Sequence, residues 1–187
     1  MKGLILLDRD GVINKMVIDP EHGTIDSPLH PSQVTIFPWV VEALLRLQKA
    51  SYALAIVTNQ PSSAKGKTTR KNLEDVQALI LETLTQAGVK ILDAQVCFHR
   101  SEDRCECRKP KPGMLNTVFE RHPEFVRGDA WMIGDGVTDV EAGLAAGVKT
   151  AFIGPRKTDA IAIFEEKGLN PDLWVDNLLK FALLLAP

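Results

Sequence analysis

The chain has 187 residues, 45% of them hydrophobic and 25% charged, which suits one domain with a sizeable buried core. A formal net charge of -2 excludes whole-chain attraction to nucleic acid or an anionic membrane, so a small anionic substrate has to be held by local cations or a metal. No stretch is long and apolar enough to span a bilayer, and the short apolar run before Asp8 is too brief for a signal-peptide core; the expectation is a cytoplasmic protein.

Strand and helix patterns alternate along the chain. Leu4 to Leu7 is a short apolar run ending at Asp8. Residues 15–38 form a long connection with prolines at 20, 28, 31 and 38, the kind of segment that is often functional. Val40 to Leu47 has helical apolar spacing, and Ala53 to Val57 is a second strand ending at Thr58 and Asn59. The basic segment 62–70, with Lys65, Lys67 and Arg70, is either a solvated helix start or a phosphate contact. A helix over 73–84 stops at Gly88, and a strand follows at 94–98. Pro112 and Gly113 open a helix through His122. Strands at 131–133 and 148–153 flank a helix over 137–146 that Gly147 closes. A helix over 160–167, a short strand at 173–175 and a helix over 177–185 complete the chain. Trp39, Trp131 and Trp174 are expected to pack, and His22, His30 and His122 to face solvent, His30 near the mouth of the site.

Short apolar strands separated by helices predict an α/β fold with a mostly parallel sheet covered on both faces. Ligands bind such sheets at the carboxyl ends of the strands, at the switch point. Asp8 and Asp10 follow the first strand, Thr58 and Asn59 the second, Asp135 and Asp139 the fourth. Two acids two residues apart can divide labour, one attacking phosphorus and the other trading protons with the leaving and entering oxygens. A phosphate dianion would be repelled without a cation, and hard oxygen ligands with few protein contacts suit magnesium. Thr58 can hydrogen-bond a phosphoryl oxygen, and Lys109 or Lys111 can neutralise the charge spread over it.

These residues resemble the four motifs of the haloacid dehalogenase superfamily of phosphatases. Asp8-x-Asp10-Gly11-Val12 matches the first, Thr58 the second, Lys109 in Arg108-Lys109-Pro110 the third, and Gly134-Asp135-x-x-x-Asp139 the fourth. The resemblance covers residues 4–153. It implies a Rossmann-like three-layer core, Asp8 as nucleophile and Asp10 as acid/base. It also implies magnesium on Asp8, Asp135 and the Asp10 carbonyl, with Asp139 supporting Lys109 and the metal shell. Neither usual insertion point has room for a large cap, so one domain over 1–187 with an open site is expected.

Cys97-x-His99 and Cys105-x-Cys107 place three thiols and an imidazole within a short segment, the composition of a closed structural zinc site. Such a loop at about 97–107 would aim Arg108 and Lys109, which follow it directly. The run from Cys97 to Met114 resembles the D-glycero-D-manno-heptose-1,7-bisphosphate phosphatases and the histidinol-phosphate phosphatases. Lys65-Gly66 after Thr58-Asn59-Gln60 resembles the heptose group, although Pro61-Ser62 stands where that group has Ser-Gly. The resemblance implies hydrolysis of a heptose 1,7-bisphosphate at the 7-phosphate, with Asn59, Lys65 and Arg108 binding substrate. Asp19, Glu21 and Asp26 in the long connection keep histidinol phosphate open as an alternative. A catalytically idle, zinc-stabilised module for a phosphorylated partner, and a phosphotransferase, are the other readings. The expected partner is a small phosphorylated metabolite and the chain is expected to be a monomer, with no nucleic-acid or membrane partner.

Overall fold

The first strand is apolar at every position because it is covered on both sides. In β1 (Gly3–Leu7), Ile5 and Leu7 enter one core cluster while Leu4 and Leu6 enter another, the alternation a pleated strand imposes. The computed structural model of the chain describes residues 2–19, 23–155 and 158–187.

β1 pairs in parallel with β4 (Tyr52–Asn59) on one side and β6 (Trp131–Gly134) on the other. β5 (Asp93–Cys97) extends the sheet beyond β4, and β7 (Lys149–Ile153) and β8 (Leu173–Val175) extend it beyond β6. The order β5-β4-β1-β6-β7-β8 puts the chain reversal between β1 and its two neighbours, so Asp8, Thr58 and Asp135 converge there. Helices α1 (Val40–Lys49), α2 (Arg70–Gln86) and α6 (Leu178–Leu185) bury Leu44, Ile80 and Phe181 against the face of Ile5 and Leu7. Helices α3 (Gly113–Arg121) and α4 (Val137–Ala146) bury Leu115 and Ala142 against the face of Leu4 and Leu6. Helix α5 (Thr158–Glu166) brings Phe164 onto Phe152 and Trp174 at the β8 edge. This is the three-layer, mostly parallel arrangement expected from the sequence, without a large cap among the described residues.

The long connection over 15–38 carries short strands that the sequence did not predict. It holds an antiparallel hairpin, β2 (Val17–Asp19) with β3 (Thr24–Asp26), and its return strand bridges Ile36 to Asn14. Three-residue strands are too short to register as a periodic pattern, and Ile18 and Ile25 are exposed at 75% and 69%, so burial does not mark them either. Glu21, His22 and the Asp19 side chain lie outside the described residues. Helix α2 begins three residues before the predicted start because the Thr69 hydroxyl accepts from the Asn72 N–H as its N-cap.

Candidate active site

Asp8 stands one residue past β1, its N–H donating to the Ile133 carbonyl of β6 at 2.8 Å. The Lys109 ammonium reaches it from the loop after the cysteines, donating to Asp8 Oδ1 at 2.8 Å and to the Val57 carbonyl at 2.7 Å. The same nitrogen lies 2.6 Å from Asp139 Oδ1. Asp139 is the third residue of α4, and its other oxygen accepts from the Gly136 N–H at 3.0 Å, so one carboxylate caps the helix and anchors the lysine. Burial would push the Lys109 ammonium down, but the Asp139 and Asp8 charges outweigh it and hold it above the ordinary lysine range.

Carboxylate oxygens of Asp8, Asp135 and Asp139 can all lie within 4.8 Å of one another. One lysine does not balance them. Burial, followed by the charges of Asp8 and Asp139, pushes Asp135 up to about 8 against the pull of Lys109. A set of hard oxygen donors with surplus negative charge fits a divalent cation such as magnesium. Gly11 makes the close approach possible. Its φ is 79°, and a Cβ there would overlap the Asp135 carboxylate.

Asp10 is 7% exposed, and its carboxylate is enclosed by donors. Arg9 Nη2 donates to both of its oxygens at 3.0 Å, Asn14 Nδ2 to Oδ1 at 2.8 Å, and Gln60 Nε2 to Oδ2 at 2.5 Å. Gln60 also donates to the Thr58 hydroxyl at 3.0 Å. The cavity that these groups border, about 200 Å³, is lined by Asp8, Asp10, Thr58, Asn59, Lys109 and Asp135, with Met16, Asp26 and Ser27 from the hairpin side.

The other sequence candidates are distributed less simply. Asn59 lines the cavity, but both ends of its amide are spent on the Lys109 backbone, at 3.0 and 3.1 Å, so it holds the lysine loop in place. Lys65 is exposed and does not line the cavity. Arg108 donates to the His99 carbonyl at 3.2 Å and does not line it either. Lys111 turns outward to Glu106 at 2.7 Å, which leaves Lys109 as the cation at Asp8. In the basic segment it is Lys67, at 2.8 Å from Asp26, that ties to a cavity residue. His30 is exposed and caps a short 3-10 turn through the Ser32 N–H. His122 is not solvent-facing as expected: it is half-buried, its Nε2 3.5 Å from Asp93. The three tryptophans pack against aromatic neighbours.

Sequence reasoning missed Arg9, Asn14 and Gln60. The available signal was Arg9 itself, a charge placed between a fully apolar strand and the apolar pair Val12 and Ile13.

Beside this site the four sulfur and nitrogen donors converge. Cys97 Sγ lies 3.7 Å from Cys105 Sγ and 3.2 Å from Cys107 Sγ, and Cys105 and Cys107 are 3.5 Å apart. His99 Nδ1 is 3.6 Å from Cys97 and 3.3 Å from Cys107. A tetrahedral ion with bonds of about 2.3 Å to sulfur requires edges of roughly 3.8 Å, close to these separations. Burial first, then hydrogen bonding and charge from Cys97 and Cys105, pushes the Cys107 thiol up to about 12. The donor set fits zinc.

A parallel α/β sheet with this carboxylate and lysine group at its switch point defines a class, the phosphoryl hydrolases on a Rossmann-like core. Residues 106–181 match the HAD-hydrolase-like family model. Over 155 residues the chain is 34% identical to a D-glycero-beta-D-manno-heptose-1,7-bisphosphate 7-phosphatase of Pseudomonas putida, covering 80% of this chain and 81% of that protein. A histidine biosynthesis bifunctional protein of Legionella pneumophila is 30% identical over 141 residues, 75% of this chain and 38% of its own length. The crystal structure of a D,D-heptose 1,7-bisphosphate phosphatase from B. bronchiseptica, complexed with magnesium and phosphate, superposes with a TM-score of 0.80 and 27% identity, covering 98% of this chain and 97% of that one. The chain belongs to the haloacid dehalogenase-like hydrolases and is a phosphatase of that family.

Proposed function

We propose that this phosphatase hydrolyses D-glycero-D-manno-heptose 1,7-bisphosphate at the 7-phosphate, with Asp8 as nucleophile and Asp10 as acid/base. The observation that carries the substrate is the 34% identity to a phosphatase of that name over four-fifths of both chains. Magnesium on Asp8, Asp135 and the Asp10 carbonyl supplies the positive charge that lets a phosphate dianion approach carboxylates.

In the first half-reaction an Asp8 carboxylate oxygen bonds to phosphorus as the bond from phosphorus to the sugar oxygen breaks. Asp10 gives that oxygen its proton, and the products are the alcohol and an aspartyl phosphate. In the second half Asp10 takes a proton from water. The water oxygen bonds to phosphorus, the acyl phosphate bond breaks, and Asp8 and inorganic phosphate are released. Lys109 stabilises charge on the transferring group, the Thr58 hydroxyl donates to it, and Asp139 keeps Lys109 aimed. Arg108 and Lys65, which stand outside the cavity lining, are assigned to the second phosphate, and binding energy taken there positions the reacting one. A structural zinc on Cys97, His99, Cys105 and Cys107 fixes the loop that carries Arg108 and Lys109, and elemental analysis should return about one zinc per chain. We take the protein to be a single-domain cytoplasmic monomer.

Histidinol phosphate is the second reading. It is favoured by the Legionella relative and by Asp26, a carboxylate in the cavity lining that could meet a cationic substrate. Asp26 is already paired with Lys67, which weakens that attraction. The test compares kcat/KM for the heptose bisphosphate, histidinol phosphate and a sugar monophosphate. The bisphosphate should lead by at least about tenfold, roughly 1.4 kcal/mol of transition-state binding. A higher value for histidinol phosphate, or an unchanged bisphosphate rate in Lys65→Ala, overturns the heptose assignment and leaves the phosphatase standing.

A further inference from the structure

We infer that Arg9 is a positioning residue for leaving-group protonation: its buried guanidinium holds the Asp10 carboxylate in one orientation and ties it to helix α2 through Gln77. The inference rests on the acid/base role proposed above for Asp10.

Arg9 is 0% exposed and ranks among the largest fully buried side chains. A buried guanidinium is costly unless it is paired and hydrogen-bonded, and an apolar side chain of similar volume often serves stability as well or better. Packing by itself therefore does not call for arginine after β1. The partner explains the choice. Arg9 donates to Asp10 through Nη2, at 3.0 Å to each oxygen, and through Nε at 3.3 Å to Oδ1. Asp10 lines the catalytic cavity, so this is a pairing with a reacting group.

Neighbouring residues in a strand point to opposite faces, so two successive side chains meet only if the chain turns. It does so here. The N–H groups of Ile13 and Asn14 both donate to the Arg9 carbonyl, at 2.7 and 3.1 Å, and Gly11 takes a positive φ. The turn folds Asp10 back onto the guanidinium. Asn14 and Gln60 complete the cage, and Arg9 Nη1 donates to Gln77 Oε1 at 3.3 Å on the buried face of α2. The fork geometry of arginine fixes the plane of a carboxylate in a way a lysine ammonium cannot. An acid/base group held in this way meets the leaving oxygen with little reorganisation.

A proton donor matters for an alkoxide leaving group and little for an acidic phenol, and this sets the readout. Wild type, Arg9→Lys, Arg9→Met and Asp10→Asn are assayed on a sugar phosphate and on 4-nitrophenyl phosphate, with folding checked by circular dichroism. In Arg9→Met, kcat/KM, which reports only the half-reaction that expels the leaving group, should fall at least about tenfold more on the sugar phosphate than on the aryl phosphate. Arg9→Lys should recover part of the loss. A folded Arg9→Met whose two kcat/KM values fall in the same proportion overturns the inference. If Asp10→Asn lacks the sugar-selective loss, the acid/base reading itself falls; if Asp10→Asn has it and the Arg9 variants do not, only the inference falls. Should the Arg9 variants not fold, Gln77→Leu decides. It should shift the ratio in the same direction by at least about threefold, and an unchanged ratio overturns the inference.

Discussion

Lys109→Met removes the lysine ammonium that stands between Asp8 and Asp139. That nitrogen lies 2.8 Å from one carboxylate and 2.6 Å from the other, and the residue is 2% exposed. At an effective dielectric constant of about 20 each attraction amounts to roughly 6 kcal/mol. Desolvation of the three charges offsets most of that sum, but deleting one partner leaves the others buried and unbalanced, which costs about 3–5 kcal/mol in comparable sites. For a chain of this length the melting temperature should fall by roughly 6–20 °C. Turnover should fall by about 10²–10³, the usual effect of losing a preorganised charge at the reacting group. Thermal melts followed by circular dichroism measure the first quantity and steady-state kinetics the second. The double substitution Lys109→Met with Asp139→Asn removes a buried carboxylate charge as well, so it should melt above the single variant while remaining inactive. A single variant destabilised by less than about 1 kcal/mol, or a double variant no more stable than the single, would refute the view that these charges balance one another.

Asp8→Asn should abolish turnover with the fold intact, and retention of a tenth or more of the wild-type rate removes Asp8 as nucleophile. Cys107→Ser should release zinc, measured by elemental analysis, and lower both melting temperature and activity; carefully reduced wild-type protein free of zinc would refute the metal loop. Gly11→Ala should weaken magnesium activation, because the added methyl overlaps the Asp135 carboxylate; an unchanged half-saturating magnesium concentration is the contrary outcome.

The strands and helices were legible because each buries apolar side chains with the period of its own geometry. β1, β4 and α4 fall within one or two residues of their predicted spans, and Asp8, Thr58 and Asp135 stand at strand ends as the alternation required. The cysteine and histidine donors were legible for a different reason, since a short loop confines all four whatever the rest of the chain does. The antiparallel pair β2 and β3 escaped notice because its strands are short and its isoleucines exposed.

The partners of each reactive group belonged to the tertiary structure. Asp8 meets Lys109 across 101 positions and Asp10 meets Gln60 across 50, pairings that exist only once β1, β4 and the cysteine loop are adjacent. Charge alone did not rank the two lysines near the third motif or the three cations of the basic segment, and only the family resemblance singled out Lys109 and Lys65. Packing ranked them: it buried Lys109 against two carboxylates, turned Lys111 to Glu106, and set Lys67 on Asp26 while Lys65 stayed exposed. Arg9 makes the same point most sharply. Its charge could be read from the sequence, but the turn that folds Asp10 onto it could not. Composition and period determine which surfaces are buried, whereas the direction of a long polar side chain is set by which opposite charge the finished fold brings within reach.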